Sequence, residues 1–325
     1  MALAGPVIEV HLAADRWRAS LVEAARRSLA DRPPWLDPVW FYDERGSALF
    51  ERITELDEYY PTRAERALLE AHVAEIAGGG ADTLVELGSG TSAKTRVLLD
   101  AMLAAGSLRR YVPLDVSEET LRAAAAVLAE RYPTVAVHGV VGDFHRHLAA
   151  IRLGERRLVA FLGSTIGNLT PAARRRFLFD LDAVLDHGDR LLLGIDLVKD
   201  PTRLVAAYDD AAGVTAEFNR NALRVLNRSL GSDFDVDAFE HVAVWDPERC
   251  WIEMRLRARW DQAVTVPGLA EPLRLREGDE LRTEISAKFT VSGMTTELWE
   301  AGFVVERSFV SPGDEYALLL ARPYC

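Results

Sequence analysis

Short apolar runs recur through the middle of the chain, most of them closed by glycine or aspartate: Thr83–Leu87, Arg110–Asp115, Val135–Val141, Arg157–Leu162 and Arg190–Val198. Runs of this length, apolar on both faces, read as buried parallel strands. Pro113 weakens the second of them. Helical patterns lie between. Thr62 with Glu65 matches a capping box, and Leu68, Leu69, His72, Val73 and Ile76 follow at helical spacing. Thr170-Pro171 supplies an N-cap and a proline for the first helical position, ahead of the stripe Phe177, Leu178, Leu181, Val184 and Leu185. Such β-α alternation predicts a doubly wound parallel sheet.

The pattern changes after Asp200. Leu204 to Leu230 reads as helix, interrupted near Gly213. Trp245 to Cys250 reads as a hairpin connection. Ile252, Met254, Leu256 and Ala258 then alternate with Glu253, Arg255, Arg257 and Arg259, the periodicity of a strand with one apolar face. Leu281 to Phe289 alternates again, and the tail returns to helix followed by two strands. Those closing strands are expected to rejoin the sheet. The predicted organisation is therefore a sheet domain of residues 62–199 plus 287–325, and an α+β substrate domain of residues 1–61 plus 200–286.

Composition narrows the class. Of 325 residues, 49% are hydrophobic and 27% charged, which excludes a disordered chain. The net charge of −12 argues against nucleic acid or an anionic membrane as the main partner. The longest apolar run, around Leu191–Leu193, is far too short to span a bilayer. Residues 1–10 lack the basic-then-apolar pattern of a signal peptide. Cys250 and Cys325 cannot build a disulfide framework, which suits a reducing cytoplasm. A monomer is compatible with the sequence, which leaves the oligomeric state open.

The sharpest motif is Val85-Glu86-Leu87-Gly88-Ser89-Gly90-Thr91, at the end of the first parallel strand. Gly88 and Gly90 permit a tight turn and close approach to a ligand. Asp115 ends the next strand, where a carboxylate can accept from two ribose hydroxyls. Asp143 and Phe144 follow the third and offer an acceptor and a ring face to an adenine. Gly88 to Ala93 also fits a nicotinamide-binding fingerprint, but Glu86 would repel a pyrophosphate and no tyrosine has lysine four residues on. A cationic, phosphate-free cofactor, S-adenosylmethionine, suits an acidic, glycine-rich loop better.

Tyr59-Tyr60-Pro61-Thr62-Arg63, the glycine loop, Phe161-Leu162-Gly163-Ser164-Thr165-Ile166-Gly167-Asn168-Leu169, Asp196 to Asp200 and Ala207-Tyr208-Asp209-Asp210 together resemble the histidine-specific S-adenosylmethionine methyltransferases. That family forms hercynine, the Nα-trimethyl betaine of histidine, in the first step of ergothioneine biosynthesis. The resemblance implies a class I, Rossmann-like methyltransferase fold with L-histidine as substrate. It implies that Glu86, Gly88, Gly90, Lys94, Asp115, Asp143 and Phe144 serve the cofactor. It implies that Asn168 and Tyr208 hold the histidine carboxylate, with Gly163 beside them in the same motif. Tyr59 would contact the imidazole, Glu284 and Ser286 its far edge, and Met254 would line that pocket. Tyr42 and Phe50 would stand at the amine.

Blander readings accompany each of these. By alternation, Arg282, Glu284, Ser286 and Lys288 could form one solvated face. Asn168 could serve only the start of the next helix, and Met254 and Tyr208 could be core. His145-Arg146-His147 looks like a metal pair, but nothing at ligand spacing completes it, so no metal is expected. No strong dedicated base is expected either: water, helped by Tyr42, would take the amine proton, and Phe50 would face the cationic product. The competing functions are N-methylation of another aromatic amino acid or an indole, nicotinamide-dependent oxidoreduction, and non-catalytic cofactor binding.

Overall fold

The computed structural model describes residues 5–12, 14–92 and 94–324. The chain divides into two compact units. Met1–Ala13, Pro61–Val198 and Phe289–Cys325 form the first, and Ala14–Tyr60 with Lys199–Lys288 form the second.

The first unit holds an eight-stranded sheet. Its strands are β1 (Val7–Val10), β2 (Thr83–Leu87), β3 (Arg110–Asp115), β4 (Ala136–Val141), β5 (Arg157–Phe161), β6 (Arg190–Asp196), β12 (Phe303–Val310) and β13 (Tyr316–Pro323). They lie in the order β1-β4-β3-β2-β5-β6-β13-β12. The first six run parallel; β13 is antiparallel to β6 and to β12. Every residue of β2 and β5 is buried, because helices cover both faces of a doubly wound sheet. Strand order reverses between β2 and β5, which makes their carboxyl ends the switch point where open α/β sheets bind ligands.

Local chemistry sets the helices of this unit: α3 (Pro61–Ala77), α4 (Arg96–Ala104), α5 (Glu118–Arg131), α6 (Pro171–Asp182) and α9 (Val291–Glu300). Ser117, Thr170 and Thr290 accept from the first-turn amides of Thr120, Ala173 and Gly293. Two expectations change. The first thirteen residues were assigned by sequence to the substrate domain, but β1 extends the sheet beside β4, from Val7 opposite His138 to Val10 opposite Val141. Ile8 packs against the sheet core and Glu9 reaches His138 at 3.1 Å, which ties this edge strand down. Glu65 does not close a capping box; its side chain is fully buried and its oxygens are engaged within the sheet unit.

The second unit combines α1 (Ala14–Ala30), α2 (Glu44–Glu55), α7 (Pro201–Ala206) and α8 (Val214–Leu230) with five strands. β7 (Phe239–Asp246), β8 (Trp251–Ala258) and β11 (Glu280–Ala287) make an antiparallel sheet in the order β11-β8-β7. β9 (Gln262–Val264) and β10 (Leu273–Leu275) form a small hairpin. The break near Gly213 has a cause. Gly213 is left-handed at φ +70°, and the Asp210 carboxylate caps α8 by accepting from Val214 and Thr215 at 3.0 and 2.7 Å. Burial raises the Asp210 carboxyl, and the hydrogen bonds from Thr215 and Val214 more than offset it, so it titrates below the usual range.

One irregularity decides which side chains meet. On β8, Ile252, Met254 and Leu256 face the core, and Trp251, Glu253 and Arg255 face the other way. β11 matches this alternation until Arg282, which opposes Arg255. A β-bulge at Thr283 then shifts the register, so that Glu284 opposes Met254 and Ser286 opposes Ile252. Without the bulge, Glu284 and Ser286 would share the outer face with Arg282. Thr283 is fully buried and donates to the Met254 carbonyl at 3.0 Å. Residues 34–36 hold the outer edge, because Leu36 donates to the Arg282 carbonyl at 2.8 Å and the Arg282 amide to the Pro34 carbonyl at 3.2 Å.

Candidate active site

In the sheet unit, the expected cofactor residues collect at the carboxyl ends of β2, β3 and β4. Gly88 and Gly90 are left-handed, at φ +69° and +50°, so side chains are disfavoured at both. A Cβ at either would meet nothing within 4 Å, so the loop faces open space where a ligand can come close. The Ser89 hydroxyl is buried with no hydrogen-bond partner among the described residues. Asp115 accepts from the Gly90 amide at 2.8 Å and from the Ser117 amide at 2.9 Å, one bond to each oxygen. Burial raises its carboxyl, and the two amides oppose that. Asp143 accepts from the His145 amide at 2.9 Å. The Phe144 ring rests on Phe161 and Phe177 at centroid distances of 5.3 and 5.6 Å. Left-handed glycines over open space, an orphaned hydroxyl and two acceptor carboxylates fit a cofactor bearing an amine, ribose hydroxyls and an adenine.

Glu86 and Lys94 are both engaged by neighbouring side chains. The Glu86 oxygens are taken by Thr95 and Tyr111, and the Tyr111 oxygen, its proton given to Glu86, accepts from the Ser92 hydroxyl at 2.7 Å. Burial pushes the Glu86 carboxyl up to about 7, against the hydrogen bonds of Thr95 and Tyr111. Glu86 thus braces the loop at Thr95 directly and at Ser92 through Tyr111. The helix α4 begins only at Arg96, so this loop is longer than a nicotinamide fingerprint requires; Ala93, its last position, lies outside the described residues. Lys94 pairs with Glu65 at 2.6 Å.

Sequence reasoning missed Glu65 as a site residue. It accepts from Lys94, from the Gly163 amide at 2.6 Å and from the Tyr316 hydroxyl at 2.6 Å. Gly194 in β6 permits this cluster, because a Cβ there would collide with Glu65 and Tyr316. Glu65 thereby ties the glycine loop to Gly163, which is itself left-handed at φ +74°. Asn168, in the helical turn Thr165–Asn168, is half-buried and is not the N-cap of α6, which is Thr170. His147 accepts the Asp143 amide at 3.0 Å through Nδ1. Among the described residues, no group of three or more His, Cys, Asp or Glu could hold a metal ion.

The remaining expected residues lie in the second unit. Tyr42, Phe50, Tyr59 and Tyr208 form a chain of edge-to-face rings at 5.9, 6.2 and 6.2 Å. Phe218 of α8, which the sequence reading did not single out, packs on Tyr42 and Phe50 at 5.7 and 5.9 Å. Tyr208 ends the chain with its hydroxyl 2.8 Å from Ser286 Oγ and 2.8 Å from Lys288 Nζ. Ser286 and Lys288 are buried, so the solvated-face reading of this strand fails. Met254 is 2% exposed and pairs with Glu284 across the strands.

The backbone of Tyr208 is held by a second buried group. Asn219 Nδ2 donates to the Arg255 carbonyl at 3.0 Å and lies 2.8 Å from His241 Nδ1. With Nδ1 accepting, the ring's proton is on Nε2, which donates to the Tyr208 carbonyl at 2.8 Å. Burial lowers the His241 pKa below its ordinary 6.5. The unfolded chain therefore takes up this proton first as pH falls, and the stability supplied by the neutral ring is lost below that value. The urea midpoint of the parent is expected to fall more steeply than that of His241→Gln between about pH 7.5 and about pH 5.5. Equal slopes would show that His241 is not the titrating group.

A parallel sheet with its ligand loops at the switch point, closed by the antiparallel β13 and β12, defines a class I S-adenosylmethionine-dependent methyltransferase. The chain belongs, more narrowly, to the histidine-specific, S-adenosylmethionine-dependent methyltransferase family, whose model matches residues 21–323. It is 53% identical over 312 residues to the histidine N-alpha-methyltransferase of Mycolicibacterium smegmatis, covering 96% of this chain and 97% of that one. It is 51% identical over 312 residues to the protein of the same name from Mycobacterium tuberculosis, with the same coverage, 96% and 97%. It is 33% identical over 300 residues to ergothioneine biosynthesis protein 1 of Neurospora crassa, covering 90% of this chain and 34% of that protein. Among the described residues, no helix is long and apolar enough to cross a membrane.

Proposed function

We propose that this enzyme transfers methyl groups from S-adenosylmethionine to the α-amino nitrogen of L-histidine, three in succession, to give hercynine, the first step of ergothioneine biosynthesis. The observation that carries the reading is the bulge at Thr283, which turns Glu284 and Ser286 to the side of Met254, with Ser286 bonded to Tyr208. A neutral imidazole has one N–H to donate and one nitrogen that accepts. The Glu284 carboxylate answers the first and the Ser286 hydroxyl the second. An indole or a phenol lacks that pair of atoms.

S-adenosylmethionine supplies, when bound, a methyl group already activated on a sulfonium, so the protein's share is proximity and alignment. Gly88, Gly90, Asp115, Asp143 and Phe144 hold the cofactor in this reading, Lys94 offers a cation to its carboxylate, and Glu86 supports the loop. Asn168 and Tyr208 hold the histidine carboxylate, with Gly163 in the same motif, and Tyr59 contacts the ring. Tyr42 and Phe50 stand at the amine. Tyr42 is 42% exposed, which suits the passage of the amine proton to water before each of the first two transfers. The faces of Phe50 and Tyr42 accommodate the charge of the trimethylated product.

The reaction belongs in the cytoplasm under this reading, in keeping with a chain of two cysteines, and the partner is a small molecule. The surplus of 50 acidic over 38 basic residues supports neither a nucleic-acid nor a membrane partner. Calorimetric titration with S-adenosylhomocysteine present tests the substrate. Histidine is expected to bind at least about tenfold more tightly than tryptophan or tyrosine. Tighter binding of tryptophan would move the enzyme to another aromatic amino acid.

A further inference from the structure

Only three of the 38 basic residues are lysines, and one of them, Lys288, is 3% exposed. It follows β11, and its amide is anchored on the Cys250 carbonyl at 2.7 Å. Its Nζ lies 2.8 Å from the Tyr208 hydroxyl and 2.9 Å from Ser286 Oγ, which are themselves 2.8 Å apart. The three polar atoms make a closed triangle, with the ammonium also 4.6 Å from the centre of the Tyr208 ring.

We propose that Lys288 is a positioning residue for amino-acid recognition, fixing the Tyr208–Ser286 pair so that it presents a hydrogen-bond donor, and not an acceptor, toward the substrate. The proposal rests on the histidine reading above. An ammonium has three donors and no acceptor, so both hydroxyl oxygens spend a lone pair on it. One hydroxyl proton bridges the two oxygens, and the other is turned away from the positive charge. A substrate group approaching the pair therefore meets one O–H donor beside a cation. An atom that satisfies it is an acceptor, a carboxylate oxygen or the unprotonated nitrogen of an imidazole. Without the ammonium, either hydroxyl can rotate to accept, and that polarity is lost.

Lys288→Met tests this, with Lys288→Gln as the second variant should the first not fold. Affinity for S-adenosylmethionine, measured by calorimetry, reports on folding and is expected to match the parent. The KM for histidine is expected to rise about 10- to 100-fold while kcat stays within about threefold. Adding Ser286→Ala to Lys288→Met is expected to cost less than Ser286→Ala costs in the parent, because the two act as a unit. A parental KM for histidine in a variant that binds cofactor, or a fully additive cycle, would overturn the role of Lys288. A parent enzyme that neither binds nor methylates histidine would overturn the function itself.

Discussion

Gly88→Val is expected to lose S-adenosylmethionine affinity by at least about 100-fold while Gly106→Val keeps it. The two glycines are matched in backbone. Gly88 lies at φ +69° and Gly106 at φ +73°, and a Cβ at either meets nothing within 4 Å. A β-branched residue is strained in the left-handed region, so both variants are expected to lose about 1–3 kcal/mol of stability. Their surroundings differ in one respect. Gly88 begins the loop at the carboxyl end of β2, two residues before the Gly90 amide that donates to Asp115, whereas Gly106 joins α4 to the amino end of β3. The open space beside Gly88 is the space assigned to the cofactor, so a side chain there costs binding as well as folding. Calorimetric titration of both variants with S-adenosylmethionine separates the effects. Equal affinities would mean that the loop is only a turn.

The second large effect is on selectivity. Glu284→Leu is expected to reduce kcat/KM for histidine about 10- to 100-fold, the equivalent of about 1–3 kcal/mol, and to raise the relative rate with tryptophan or phenylalanine. In the proposed reading the bulge sets Glu284 opposite Met254, on the side of the core-facing Ile252 and Leu256, where its carboxylate accepts from the imidazole. Removing it leaves an imidazole N–H without an acceptor, and leucine makes the pocket apolar enough for a larger ring. Cofactor affinity serves as the control and is expected to stay at the parental level, since the cofactor residues on β2, β3 and β4 belong to the other unit. Kinetics with each amino acid in turn provide the measurement. An unchanged preference for histidine would remove Glu284 from substrate recognition.

The parts of this enzyme that were legible in the sequence are those set by local chemistry. The buried strands β2 to β6 announce themselves as apolar runs, because a parallel sheet covered on both faces tolerates little else. The glycines of the cofactor loop stand out because only glycine adopts its backbone without strain. The bulge at Thr283 was not legible. Arg282, Glu284, Ser286 and Lys288 alternate as if on one face, and only the pairing with β8 and with residues 34–36 reveals the shift. Glu65 was hidden for a related reason. It sits three residues after Thr62 as a capping glutamate would, and its burial depends on Gly194 and Tyr316, far along the chain. The edge strand β1 is only four residues long, too short for its alternation to declare its sheet, and its place is set by the register with β4. Lys288 was read as one charge in a polar run, although the scarcity of lysine was already a signal.

The most direct test of the central claim is mass spectrometry of purified enzyme incubated with S-adenosylmethionine and an equimolar pool of free amino acids. The account predicts that histidine alone gains methyl groups, up to three, all on the α-nitrogen. Methylation of a different amino acid, or of the imidazole ring, would contradict the assignment of Glu284, Ser286 and Tyr208 to the histidine substrate.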